Sequence, residues 1–191
     1  MSPYVALIAF PVVFLGELPD KTMFASLLMA TRVRPWHVWL GAAAAFVVHV
    51  AIAVSVGAAL LALLPRRAVD ILVALGFAAG AVYAFASARS AHEESVKRAP
   101  SARNAVLGAF VVIFAAEWGD LTQILIANLA AKYGHPWSVA VGSLAALWSV
   151  AAIAVTGGAT LLRFVSIRRA RQLTAVVLLA LSAYAAWTAA R

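Results

Sequence analysis

The chain has 191 residues, 65% of them apolar and 12% charged, with a mean hydropathy of +0.96. Soluble domains run at about 45–50% apolar and about 25% charged, so the composition excludes a water-soluble globular protein; it also excludes disorder, which needs low hydrophobicity and high charge. A net charge of +8 would suggest nucleic acid in a soluble chain, but these bases sit between apolar runs, where membrane topology accounts for them, and the absence of cysteine excludes disulfide frameworks and thiol chemistry.

A helix needs about 20 apolar residues to cross the hydrocarbon core. Met1-Ser2-Pro3 lacks the basic region of a signal peptide, so the first apolar stretch, 4–31, is expected to be retained as a span. It carries Glu17, Asp20 and Lys21 near its centre. Stretches 35–65 and 71–88 hold no Asp, Glu, Lys or Arg and read as spans two and three. A polar link at 90–103 follows. The fourth stretch, 104–131, again has central acids, Glu117 and Asp120, whereas 134–162 and 172–190 carry no charge. The expected fold is therefore an all-α integral membrane protein of six transmembrane helices. Nothing alternates as β-barrel spans do.

The chain is also written twice. Residues 9–22 and 109–122 share seven identities in fourteen, among them Glu17/Glu117, Asp20/Asp120 and Thr22/Thr122. One further residue of offset carries the match through Pro35-Trp36 and Pro136-Trp137, then Gly41 and Gly142. Three spans per copy is an odd number, so the second copy enters the membrane upside down. The expected organisation is one membrane domain of two inverted three-helix repeats, 1–89 and 104–191, with 90–103 as a cytoplasmic link. That is the architecture of secondary transporters, with the substrate site between the repeats at mid-depth. Ten Lys and Arg fall in loop one, in 89–103 and in the fifth-to-sixth loop, against Arg66, Arg67, Lys132 and Arg191 on the other side. The positive-inside bias places both termini outside a cell (inner) membrane. Asp70, Glu93 and Glu94 lie in or beside loops and are expected to be solvated.

Four of the seven acids thus sit mid-span. Each costs about 2.5–3.5 kcal/mol on insertion scales, roughly 10–14 in all, which rivals the stability of a whole domain. Lys21 alone cannot neutralise four acids, so a function is implied. Residues three apart share a helix face, which pairs Glu17 with Asp20 and Glu117 with Asp120. Pro19 has no N–H to donate to the carbonyl of Leu15, and Gly119 leaves the equivalent backbone uncovered. Thr22, Thr122 and Gln123 add neutral oxygens. Such an oxygen-rich set suits a hard divalent cation, Ca²⁺, Mg²⁺ or Mn²⁺. Like charges and low dielectric favour protonated acids in an empty cage, so an entering dication displaces protons. Cation–proton antiport follows from the same residues, and a channel could use the same ring of acids.

The doubled signature resembles the GDT family of small cation–proton exchangers, whose motif is Glu-x-Gly-Asp-(Lys/Arg)-(Ser/Thr), once per three-helix half. The resemblance covers essentially the whole chain. It implies a transporter without enzymatic activity or resident cofactor, which exports Mn²⁺, or exchanges Mn²⁺ or Ca²⁺ for protons. By position it makes Glu17, Asp20, Glu117 and Asp120 the cation-binding acids and Thr22 and Thr122 the motif hydroxyls. Pro19 replaces the first Gly of the pattern and Leu121 the second basic residue. Two rival readings are a cationic amino-acid exporter, which four acids would suit, and an intramembrane aspartyl protease, suggested by Trp118-Gly119-Asp120.

The remaining intramembrane residues have plainer expected roles. His49 is expected to be a buried neutral imidazole bonded to a neighbour, with proton relay as its other reading. Met23 suits packing better than soft ligation. Trp118 is expected to wall the cage, and Trp36, Trp39 and Trp137 to anchor span ends.

Overall fold

The computed structural model describes residues 2–18, 21–30, 33–87, 105–118, 120–164 and 167–190. Among them are eight helices and no strand: α1 (Pro3–Glu17), α2 (Lys21–Ala30), α3 (Pro35–Leu63), α4 (Arg66–Ser87), α5 (Ala105–Glu117), α6 (Leu121–Tyr133), α7 (Pro136–Phe164) and α8 (Ile167–Ala190). The link at 90–103 lies outside the described residues.

Local chemistry sets several of these bounds. α1 and α3 begin with Pro at the first helical turn, where the missing N–H costs nothing and the fixed φ favours entry. α6 ends on Gly134, at φ 65°, whose N–H bonds the carbonyl of Ala130 at 3.0 Å. A left-handed cap of this kind is ordinarily glycine because a Cβ is strained there.

The fourth apolar stretch is not a single rod: α5 and α6 are bent by 71° to one another, and the described residues of the first stretch fall in two helices, α1 and α2. At 1.5 Å per residue, α1 is about 22 Å long and α5 about 20 Å, short of the roughly 30 Å hydrocarbon core. α3 and α7, at 29 residues each, contain stretches long and apolar enough to cross alone, and α5 with α6 would make a third crossing. The charges that open α4 (Arg66, Arg67, Asp70) and α8 (Arg168, Arg169, Arg171) shorten their apolar portions. Among the described residues, two helices, or three crossings with the bent pair, are thus long and apolar enough to span a membrane.

The helices interleave. α3 packs against α5, α6 and α7, α1 packs against α7, and α4 packs against α8. Small residues permit the closest approaches, as is usual where lipid supplies no hydrophobic drive between helices. A Cβ on Gly41 would run into the carbonyl oxygen of Val106 and the Cβ of Ala109. A Cβ on Gly142 would run into the carbonyl oxygen of Ala6 and the Cβ of Ala9. Large apolar side chains such as Leu7, Leu63 and Leu107 face outward instead.

Asp70 departs from its expected place in solvent. It is buried, and Lys132 Nζ donates to its Oδ1 at 2.7 Å. Lys132 Nζ also donates to Thr188 and lies 5.0 Å from the ring centroid of Tyr184, while its backbone carbonyl accepts from Arg66 at 3.0 Å. Helix ends that look terminal in sequence are here covered by α8. Removing one partner of a buried pair strands the other charge, so Asp70→Leu or Lys132→Met alone should cost about 3–5 kcal/mol. The double variant should recover most of that loss in thermal unfolding of the purified protein, because an apolar pair removes both desolvation penalties.

Candidate functional site

Glu17 of the first acidic motif lies against Thr122 of the second, beside the break between α5 and α6. Glu17, the last residue of α1, is fully buried. A carboxylate at a helix C-terminus faces the negative end of that helix's dipole, so its compensation must come from elsewhere. Thr122 supplies part of it: its Oγ1 donates to Glu17 Oε2 at 2.8 Å, joining residues 105 positions apart in the chain. Thr122 lies in the first turn of α6, so the N-terminal, positive end of that half-helix is aimed toward the same carboxylate.

The second motif makes the turn itself. Glu117 closes α5 and is buried. Asp120 is the N-cap of α6, with extended backbone (φ −75°, ψ 167°), and its N–H bonds the carbonyl of Glu117 at 3.1 Å. The Asp120 carbonyl accepts from the N–H groups of Gln123 and Ile124, at 3.1 and 3.3 Å. Backbone groups at a break inside a bilayer cannot rely on water, and these bonds satisfy several of them. Asp120 is half-buried, and its carboxylate stands at the positive end of α6.

Gln123 ties the turn to α3. Its Nε2 lies 3.3 Å from His49 Nδ1, while His49 Nε2 lies 3.0 Å from the carbonyl oxygen of Phe114 in α5. A carbonyl only accepts, so His49 Nε2 carries a proton, and in the neutral ring Nδ1 accepts from the Gln123 amide. The buried His49 ring is 4.7 Å from that of Phe114 and 6.1 Å from that of Trp118. The burial and hydrogen bonding of this histidine are as the sequence leads one to expect. Its contact with Gln123 carries no signal in the sequence, since 74 positions separate them. Trp118 is largely exposed, at 63%, with its ring against Phe114 and near His49, so it lies beside the turn rather than walling a closed cage.

Of the seven predicted site residues, Glu17, Glu117, Asp120, Thr122 and Gln123 fall on these three helix ends. Asp20 lies outside the described residues; Thr22 belongs to α2, with its side chain outside them. Among the described residues, no three of His, Cys, Asp and Glu cluster closely enough to hold a metal ion. What the described part offers is two buried carboxylates, Glu17 and Glu117, a half-buried one at Asp120, a hydroxyl and an amide. All are oxygen donors of the kind a hard cation takes, and imidazole is turned to other partners.

Comparison with known proteins gives a consistent result. The profile of the GDT1 family, described as divalent cation/proton antiporters, matches residues 5–92 and 105–191. A GDT1-like protein of Synechocystis sp., sll0615, is 29% identical over 161 residues, covering 75% of this chain and 77% of that protein. No solved structure matches the chain.

Proposed function

The chain belongs to the GDT1 divalent cation/proton antiporter family, and from that premise we propose that it exports Mn²⁺, or Ca²⁺, in exchange for protons through a site built from both acidic motifs. A transporter of this family is not an enzyme, which sets the protease reading aside, and its cargo class sets aside the amino-acid exporter. The observation that carries the site is the Thr122–Glu17 hydrogen bond, because it joins the second motif directly to the first. In this reading Glu17, Asp20, Glu117 and Asp120 supply the charge. Thr22, Thr122 and Gln123 supply neutral oxygens. Protons held by the acids in the empty site leave as the dication enters and return as it departs.

Paired packing supports an inverted repeat of three spans per half, with α1–α2 and α5–α6 each crossing as a broken span. Gly41 sits on Val106 and Ala109, and its counterpart Gly142 on Ala6 and Ala9, the counterparts of those residues. His49 packs on Phe114, and the corresponding Val150 packs on Phe14. Each second span thus rests on the first span of the other half. Exchanging the conformations of two such halves converts a site open to one face into one open to the other. Export is the expected direction across a cell membrane with both termini outside, driven by inward proton flow.

The test is transport in proteoliposomes carrying an imposed proton gradient. Vesicles acidic inside should accumulate Mn²⁺ or Ca²⁺ as protons leave, and collapsing the gradient should stop it. Cation movement indifferent to the proton gradient would indicate a pore, and movement of neither cation would remove the reading altogether.

A further inference from the structure

We infer that the ion pair between Asp70 and Lys132 is a releasable latch that holds α6 shut against α4 and α8, and that opening the site to the face where α4 begins requires it to part; this rests on the exchange between two states proposed above. α6 has 13 residues, about 20 Å of helix, and is bent by 71° from α5, so it is not a rigid continuation of that helix. Its first turn carries Thr122, which bonds Glu17, and its last turn carries Lys132. A tilt of this half-helix therefore moves the site at one end and the lysine at the other. Lys132 Nζ is held from two sides, by Asp70 Oδ1 of α4 at 2.7 Å and by Thr188 of α8, with the Tyr184 ring centroid 5.0 Å away. Arg66, at the start of α4, closes the same end by donating to the Lys132 carbonyl at 3.0 Å. α4 and α8 form one support, tied by the bond from Ser182 Oγ to the Ala74 carbonyl at 2.9 Å.

Three observations favour a latch over a fixed staple. Behind the ion pair, the seam between α4 and α6 is shut by close contact. A Cβ on Gly76 would run into the Asn128 amide, and one on Gly80 into Leu121. Asn128 thus puts a buried polar group into the seam, where water would solvate it once the helices part. Next, an ion pair suits a joint that must open. Its charges lose hydration when buried and regain it when separated, so closure gains little net free energy and rupture is not prohibitive. An apolar pair has no such return. Last, the duplicated chain lacks the pair at the equivalent place. Arg171 stands where Asp70 does, and Thr31 and Arg32 are the positions that match Lys132. Neither side of that match supplies an acid, so the sequence confines this pair to one face.

The experiment exploits a chain without cysteine. Gly76→Cys with Asn128→Cys places a thiol on each side of the seam. A Cβ on Gly76 lies 3.0 Å from the Asn128 Cγ, so the two Cβ atoms fall within the roughly 4.5 Å that a disulfide spans. In proteoliposomes with an imposed proton gradient, oxidising this variant should stop movement of Mn²⁺ and Ca²⁺, and reducing it should restore that movement. A second readout is the rate at which Asn128→Cys alone reacts with a maleimide in the purified protein. Adding Asp70→Asn should raise that rate about 10-fold or more, since it removes the attraction that shuts the seam. Adding Asp70→Leu with Lys132→Met should instead lower it by about 10-fold, and exchange should slow with it, since an apolar pair gains nothing from water on opening. Normal exchange by the cross-linked protein, or labelling indifferent to both changes at the pair, would overturn the inference. Should Asp70→Asn unfold in thermal melts, the apolar pair and the cross-link still decide. If the unaltered protein moves neither cation while labelling responds as expected, the proposed cargo fails and the latch stands.

Discussion

Replacing Glu17 by Gln should abolish cation–proton exchange while leaving the protein inserted and folded. The substitution keeps the shape of the side chain, and its remaining carbonyl oxygen can still accept the proton of Thr122 that Oε2 accepts now. What disappears is the charge, and with it the proton that the dication must displace. Removing a fully buried carboxylate also relieves its desolvation penalty, so stability without cation should hold or rise. Asp120→Asn should behave likewise at the N-cap of α6, because the Asp120 side chain makes no capping hydrogen bond that the amide would have to replace. Transport is read in proteoliposomes and folding by thermal unfolding of the same preparation. Normal exchange by either variant would count decisively against an acidic cation site, whereas loss of both folding and transport would make the carboxylates structural.

The membrane class, the position of the two motifs and their equivalence were legible because each is written in composition or spacing. Charge-free runs mark α3 and α7, and Pro35 and Pro136 mark where they begin. The break at the second motif was half legible. Gly119 and Asp120 suggest an interrupted helix, but hydropathy averaged over a span conceals it, since residues on both sides of the break are equally apolar. Asp70 was misplaced for a related reason. Near a span end, a charge that reaches water and a charge covered by another helix look the same in sequence, and only the packing of α4, α6 and α8 separates them. Partners such as Thr122 for Glu17 and Gln123 for His49 depend on which helix ends meet across the bilayer, and no local pattern encodes that. Met23 and Val150 stand opposite Gln123 and His49 in the other half, so both of these polar residues belong to one half only.

Acidification should weaken cation binding steeply, and the slope should count the protons exchanged. If cation and protons compete for the same carboxylate oxygens, every proton displaced on binding contributes a factor of about 10 in affinity per pH unit, by linkage. Over two units, one proton therefore corresponds to about 100-fold and two protons to about 10⁴-fold. The sign is fixed by the chemistry of the site. A dication binds deprotonated oxygens, so the cation-bound form holds fewer protons than the empty form, and lowering the pH favours the empty form. The same bookkeeping supplies the driving force for export, because the face with more protons is the face on which the cation is released. Mn²⁺ affinity measured at pH 7.5, 6.5 and 5.5 on the purified protein gives the slope directly. Glu17→Gln, which leaves fewer exchangeable protons at the site, should flatten it in proportion to whatever binding survives. An affinity that does not change across that range would mean that the empty site is already fully ionised. Proton coupling would then have to arise away from these carboxylates, and the cation would see a fixed ring of charge, as in a selective pore.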